Sequence, residues 1–354
     1  MQNSTDIGSV PVRVAIDAMG GDHGPAETVK GALIAAKSNN AEIVLVGDLG
    51  PVEDELAKHD TSGITISVVH SDGKVGDDEH PLQAMRTKPN SSVVVATRLV
   101  KSGDADVMVS MGSTGGSMAS AVLNLGLMPG LDRPCIGGPF LGLAPNTVLV
   151  DIGANIDCRP ALLLNFASLG VSWARTYMGI ENPRVALLSV GSESTKGNKQ
   201  VQEAYQVFQD SGVNFVGNVE GMDFFTEKAE VIIADGFVGN ILIKFTEGLG
   251  RAFAAYAHKR LGSALDETAI AKFAAEMIQL TNRTRSNGGP LFGVKGPVIV
   301  GHGSSKADEI SDAVSTAVRY VDLGMVGIMS VSYTHLRAHE TLRYLVCRRL
   351  LEKK

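Results

Sequence analysis

Residues Val12–Pro25 read V-R-V-A-I-D-A-M-G-G-D-H-G-P. Val12, Val14 and Ile16 make a short apolar strand that ends at Asp17. Gly20, Gly21 and Gly24 follow, and Pro25 opens a helix expected to reach Lys37. Strand, acidic residue, glycine turn and helix start, in that order, make up the ligand-binding edge of an α/β sheet, where free backbone N–H groups meet anions. The same residues also fit a plain tight turn in which glycine supplies positive φ.

Working outward, short β-rich runs alternate with amphipathic stretches along the whole chain. This pattern predicts an α/β fold with a largely parallel sheet and helices on both faces. Strands are expected at Arg13–Asp17, Glu42–Gly47, Thr65–His70, Asp106–Met111, Thr147–Asp151, Arg184–Val190, Asn214–Asn218, Val231–Ala234 and Val298–His302. Helices are expected at Pro25–Lys37, Ser92–Lys101, Gly115–Leu125, Pro160–Tyr177, Lys199–Asp210, Asn240–Arg260, Thr268–Gln279 and Ser305–Val321.

The chain has 354 residues, enough for a large core in one α/β domain over residues 12–329, with room for two lobes. Residues 1–11 are expected to be disordered, and residues 330–354 form a basic tail foreign to the fold. A hydrophobic share of 44% with 20% charged residues is that of a soluble globule. A net charge of −6 without a basic stripe in the main body argues against a nucleic-acid partner. Cys135, Cys158 and Cys347 have no metal-ligand spacing and are too few for a disulfide framework, so no metal is expected and a reducing cytoplasm is. No secretory leader and no bilayer-spanning apolar run are seen.

Other predicted strand ends repeat the chemistry of the first. Val107–Met111 runs into Gly112-Ser113-Thr114-Gly115-Gly116, where glycine N–H groups and two hydroxyls at a helix start suit a phosphate or an oxyanion. An ordinary Ser/Thr N-cap reads the same way. Val148–Val150 leads to Asp151-Ile152-Gly153-Ala154-Asn155, with Arg159 close behind. Leu187–Val190 leads to a turn containing Lys196, Gly197 and Asn198 that is not a P-loop, because no Ser or Thr follows the lysine in the required place. Ile232–Ala234 leads to Asp235, Gly236 and Asn240, with Lys244 one helical turn on; Val298–Val300 leads to His302, Gly303, Ser304 and Ser305. Each lysine read alone also fits a solvated surface charge. In a parallel sheet all these ends share one edge, so the turns are expected to converge on one crevice. There is no Ser-His-Asp signature, no nucleophile elbow and no dinucleotide fingerprint. A phosphate site without a nucleotide motif is the reading the residues support.

The motifs D-A-M-G-G-D-H-G-P (Asp17–Pro25), G-S-T-G-G (Gly112–Gly116), L-D-R-P (Leu131–Pro134), D-I-G-A-N (Asp151–Asn155), K-G-N (Lys196–Asn198), D-G-F-V-G-N (Asp235–Asn240) and H-G-S-S (His302–Ser305) stand in one order. In that order, over about Val12 to Val326, the chain resembles bacterial phosphate acyltransferases of the PlsX type. The resemblance implies reversible transfer of a fatty acyl group from acyl carrier protein to inorganic phosphate, giving acyl phosphate for phospholipid synthesis. It also implies a homodimer, no cofactor, a fold akin to phosphotransacetylases and isocitrate-dehydrogenase-like enzymes, peripheral membrane association and a membrane-bound glycerol-phosphate acyltransferase as partner.

For that reaction, Lys196 is expected to neutralise charge, with Lys244 second, and His302 to serve as acid/base or structural donor. Asp17 and Asp22 are expected to orient donors, since a carboxylate laid on phosphate repels it. Gly20, Gly21, Ser113, Thr114, Gly115, Asn155, Asn198, Asp235, Gly236, Asn240, Gly303, Ser304 and Ser305 complete the substrate-binding set. The region Ile241–Leu280, with Leu249, Phe253, Tyr256, Ile270, Phe273, Met277 and Leu280 at helical spacing, is expected to form dimer core rather than a membrane face. Arg251, Lys259, Arg260, Arg283 and Arg285 are placed to steer the acidic carrier.

The chain departs from the family pattern at Ser113, Gly116, Ser189 and Ser286-Asn287, and most of all in the tail from Ser330, which resembles fused adapter sequence. A basic amphipathic membrane helix is its functional alternative. Competing activities are a phosphate acetyl- or butyryltransferase using acyl-CoA, a dehydrogenase of related fold, and a non-catalytic phosphate-binding scaffold.

Overall fold

The interior parallel strands are buried along most of their length, which is why they read as continuous apolar runs, whereas the edge strands Ile66–His70 and Phe215–Val219 stay partly exposed. In a computed structural model, residues 10–139, 141–261, 266–281 and 288–332 are described. Arg283, Arg285, Ser286, Asn287, Cys347 and all of the tail beyond residue 332 lie outside them, as do residues 1–9. The chain divides into two compact units. Of the described residues, the first comprises 10–125 together with Gly296–Asp322, and the second comprises those between Gly126 and Lys295 and residues 323–332.

Unit 1 carries β1 (Val12–Asp17), β2 (Ala41–Gly47), β3 (Ile66–His70), β4 (Val107–Ser110) and β11 (Val298–Val300), in the order β3-β2-β1-β4-β11. Every pairing is parallel. Val14, Ile16, Ile43, Leu45, Met108 and Ile299 form the core of this sheet. Helix α1 (Ala26–Ser38) packs against the helix Ala307–Asp322, while α4 (Ser92–Ser102) packs against α5 (Thr114–Asn124) and the sheet. Gly31 makes the first of these contacts possible, because a Cβ there would lie 2.7 Å from Ala307 O. Two short helices, α2 (Leu49–Leu56) and α3 (Pro81–Thr87), stand where the sequence reading had none.

Unit 2 has the order β10-β5-β6-β9-β7-β8, made of β5 (Cys135–Pro139), β6 (Val148–Val150), β7 (Val185–Leu188), β8 (Phe215–Val219), β9 (Val231–Ile233) and β10 (Gly289–Phe292). β6, β9, β7 and β8 run parallel, whereas β10–β5 and β5–β6 are antiparallel, so the sheet is mixed at one side. Helix α6 (Pro160–Thr176) is buried along most of its length and packs on β5, β6 and β9. Its Trp173 stacks on Tyr177 with ring centroids 4.0 Å apart and meets Phe292 of β10 at 5.5 Å. Helix α7 (Lys199–Gln209) packs on α6, and α8 (Gly236–Leu261) on α9 (Glu267–Thr281). Among the described residues no single helix is long and apolar enough to cross a bilayer.

Candidate active site

In unit 1 the strand register brings three chain ends together. Asp17 stands opposite Ser110 across β1–β4, and Ser110 stands opposite Val300 across β4–β11. The turns that follow these residues therefore share one sheet edge. Asp17 is only 2% exposed, and its Oδ2 accepts a hydrogen bond from Ser110 Oγ at 2.7 Å. Ser110 Oγ accepts in turn from the Gly112 N–H at 3.0 Å. Burial raises the Asp17 carboxyl above the usual range, against the opposing pull of the Ser92 and Ser110 hydroxyls and the Gly20 and Met19 N–H groups. Asp17 thus sits behind the turn and fixes it.

The glycines of the opening motif are required by close approach. A Cβ on Gly20 would lie 2.7 Å from Asp17 Oδ2 and 2.8 Å from Gly112 N. Gly21 adopts φ +78°, and a Cβ there would lie 2.8 Å from Gly303 O. This lets the Asp22 N–H donate to Gly303 O at 2.8 Å, tying the first turn to the last. Lys74 Nζ donates to the Gly21 carbonyl at 2.8 Å.

Helix α5 begins at the same edge. Ser113 is its N-cap, its Oγ accepting from the Gly116 N–H at 3.4 Å, and Thr114 beside it is exposed. In the last turn the Ser304 N–H donates to His302 Nδ1 at 3.2 Å, with Ser304 Oγ 2.9 Å from the same nitrogen. A backbone N–H can only donate, so Nδ1 is the acceptor and Nε2 carries the proton of the neutral ring. Ser305 is buried, and its N–H closes the turn onto His302 O at 2.9 Å.

Unit 2 repeats the plan around Asp151. Its buried Oδ1 accepts from the N–H groups of Ile136, Gly153 and Ala154 at 3.2, 3.2 and 3.0 Å. Its Oδ2 accepts from the backbone and side-chain nitrogens of Asn155 at 2.7 and 2.8 Å. Burial again pushes the carboxyl up, opposed by these donors. Asn155, also buried, holds Pro134 O through Nδ2 at 2.8 Å and receives the Gly236 N–H on its own carbonyl at 2.6 Å. The start of α8 lies so near this turn that a Cβ on Gly239 would come 1.9 Å from Asp151 O.

Asp235 Oδ1 accepts from the Val238 N–H at 2.8 Å and starts α8, while Asn198 Oδ1 accepts from the Val201 N–H at 2.9 Å and caps α7. Asn240 lies beside Gly153. Lys196 is exposed, and no carboxylate of the described residues pairs with its ammonium. Lys244 pairs with Glu247 at 3.2 Å.

Unit 1 therefore gathers Asp17, Gly20, Gly21, Asp22, Ser113, Thr114, Gly115 and His302 to Ser305 at one edge. Unit 2 gathers Asn155, Asp235, Gly236 and Asn240, with Asn198 and Asp235 on the wall of one cavity.

Residues 12–327 match the family described as fatty acid synthesis protein. The chain belongs to this family. It is 42% identical over 318 residues to a phosphate acyltransferase of Desulforamulus reducens, covering 89% of this chain and 95% of that protein. It is 43% identical over 319 residues to one of Moorella thermoacetica, covering 89% and 94% respectively. Among solved structures it resembles a phosphotransacetylase from Streptococcus pyogenes with a TM-score of 0.58 at 17% identity, over 88% of this chain and 94% of that one, a likeness of fold alone.

Two residues at the edge of unit 1, Ser110 and Lys74, escaped the sequence reading. Ser110 lies inside a buried strand run and reads there as core; its signal is its place just before Gly112. Lys74 lies four residues beyond the end of β3, in a loop with no periodic pattern. Arg159, which the sequence places close behind the Asp151 turn, forms an ion pair with Asp132 of the L-D-R-P motif, a partnership visible only in three dimensions.

Proposed function

We propose that this protein transfers a fatty acyl group from acyl carrier protein to inorganic phosphate, giving acyl phosphate and the free carrier thiol. The observation that carries this reading is the edge of unit 1, where the Gly115 N–H at the start of α5 stands beside the Ser113 and Thr114 hydroxyls. The nearby carboxylate of Asp17 is buried and held by Ser110 rather than presented to an anion. A phosphate oxygen attacks the thioester carbonyl, the oxyanion that forms is stabilised by these donors, and the C–S bond breaks with its electron pair on sulfur. A thiolate is a good leaving group, so positioning and fixed dipoles suffice without a covalent enzyme intermediate. His302, with its proton on Nε2, serves as a hydrogen-bond donor. Lys196 neutralises charge ahead of Lys244, whose ammonium is engaged by Glu247.

The protein acts in the cytoplasm as a homodimer. Phe253, Tyr256 and Phe273 on α8 and α9 are exposed and suit a subunit contact, while Ile270 is buried and Leu249, Met277 and Leu280 are partly buried within the unit. Exposed Arg251, Lys259 and Arg260 suit an acidic carrier. The acyl phosphate passes to a membrane-bound glycerol-phosphate acyltransferase, which the protein approaches at the membrane surface.

Acyl phosphate formation from palmitoyl-acyl carrier protein, palmitoyl-CoA and acetyl-CoA tests the reading, with preference for the carrier expected. A clear preference for acetyl-CoA overturns it in favour of a phosphate acetyltransferase. Lys196→Ala is expected to lower kcat by about 10²–10³ without changing the thermal midpoint. A near-normal kcat removes Lys196 from the chemistry.

A further inference from the structure

We propose that unit 2 seats the arm of the acyl donor, a flexible amide-bearing chain ending in a thioester, in the open cavity beside the Asp151 turn. This rests on the acyl-transfer reading above and adds where the donor is held.

The cavity has a volume of about 640 Å³ and is lined by Ile156, Cys158, Asn198, Gln200, Asp235 and Phe237 among others. That is the size range of sites for extended organic ligands and far more than a phosphate ion fills. Its wall combines apolar side chains, amide-matching polar ones and the charges of Asp157 and Arg159, the latter paired with Asp132. Ile156 and Phe237 are large apolar side chains that remain 64% and 57% exposed, an arrangement useful to an aliphatic or sulfur-bearing segment and of no use to an inorganic anion.

The polar part matches amide groups. Asn198 and Asp235 each commit one oxygen to a helix start, at Val201 N–H and Val238 N–H. Asn198 Nδ2 is thereby left to donate to a ligand carbonyl, and Asp235 Oδ2 to accept from a ligand N–H. Gln200 Nε2 donates to the Cys158 carbonyl, so the first turn of α7 is fastened to the cavity wall.

A thioester seated here meets the Cys158 thiol, and a thiolate would take the acyl group onto its own sulfur. Burial first, then the carboxylates of Asp151 and Asp235, push that thiol up to about 12. It stays protonated at neutral pH, so the acyl group is kept for phosphate.

The test uses the full chain and two probes, dodecanoyl-pantetheine as substrate and its stable thioether, S-dodecyl-pantetheine, for binding by calorimetry. Phe237→Ala and Ile156→Ala alter exposed side chains and leave the fold intact. Each is expected to raise the KM for dodecanoyl-pantetheine and the Kd for the thioether about tenfold, with the KM for phosphate within about twofold. Phe237→Leu is expected to recover most of the loss, and Val216→Ala, on an exposed strand position elsewhere in the unit, to change neither constant. Unchanged donor KM and thioether Kd in both alanine variants overturn the proposal, as does a rise in the phosphate KM alone. If the native protein makes no acyl phosphate from any thioester, the reaction reading fails. Thioether binding that Phe237→Ala weakens still establishes the seat in that event, and thioether binding indifferent to the substitution refutes it.

Discussion

Replacing Gly20 by alanine probes the opening motif where its geometry is tightest. The added methyl would lie 2.7 Å from Asp17 Oδ2 and 2.8 Å from Gly112 N, about 0.7 and 0.6 Å inside the 3.4 Å at which ordinary contact begins. Neither neighbour yields easily. Asp17 is buried and bonded to Ser110, and Gly112 N is backbone that donates to the same Ser110. Relief requires the Ala18–Gly21 turn to move off the edge of β4, which costs about 1–3 kcal/mol as overpacking. Loss of the Asp17–Ser110 bond adds about 1–3 kcal/mol, because a buried acceptor is left short of a donor. Gly20→Ala is therefore expected to lose about 2–6 kcal/mol in urea unfolding. Because the displaced turn carries Asp22, whose N–H holds Gly303 O, the KM for phosphate is expected to rise as well. A variant within about 0.5 kcal/mol of the native protein with an unchanged phosphate KM would refute the argument that this glycine is set by the Asp17–Gly112 approach.

Two further outcomes follow from the carboxylates. Asp151→Asn exchanges an acceptor oxygen for an NH₂ group that must face donors, and whichever way the amide turns, at least one buried N–H loses its partner. A loss of about 2–4 kcal/mol in urea unfolding is expected, and a change under about 1 kcal/mol would show that the turn does not depend on the charge. Asp106 adds an acid-side pH dependence to unit 1: burial alone would raise its pKa, but the side-chain and backbone hydrogen bonds from Arg13 overcome this and hold it below its ordinary 3.8. A lowered folded-state pKa contributes stability that is present above 3.8 and lost as the pH falls through the lower value. Urea midpoints measured between neutrality and acid should therefore fall less steeply below pH 4 in Asp106→Asn than in the native chain; equal slopes would contradict the pairing.

The interior parallel strands were legible because their burial on both faces writes long apolar runs, and β1, β2 and β9 fall within a residue or so of expectation. β5 and β10 were not. C-I-G-G-P and G-P-L-F carry glycine and proline, which weaken any strand signal, and each becomes a strand through antiparallel pairing with residues more than a hundred positions away or across a turn. Helix α8 starts at Gly236 rather than Asn240, since the Asp235 carboxylate receives the Val238 N–H and carries the helix through two glycines of poor propensity. In the candidate site, glycines at strand ends announced the turns, but partnerships were hidden. That Asp17 answers to Ser110, Asp151 to five N–H donors and Lys244 to Glu247 depends on register and helix phase rather than on residue type.

Asp17 and Asp151 solve one problem in the same way. Each follows or ends an interior strand, where burial opposes its charge and raises its pKa, so each works against stability as the pH rises through its folded-state value. What offsets that cost is the set of donors each acid draws in, which gives a glycine-rich turn a single conformation. An acidic protein that takes phosphate as substrate gains from having these acids buried and held by the protein's own donors, because a carboxylate turned toward the ligand would repel it. The holding is then left largely to backbone N–H groups, which no side-chain substitution removes. On this logic the hydroxyls of Ser113 and Thr114 are exchangeable for other small polar groups, whereas Gly20, Gly21 and Gly239 are not, since at each a Cβ would come within 3.0 Å of backbone atoms across the turn.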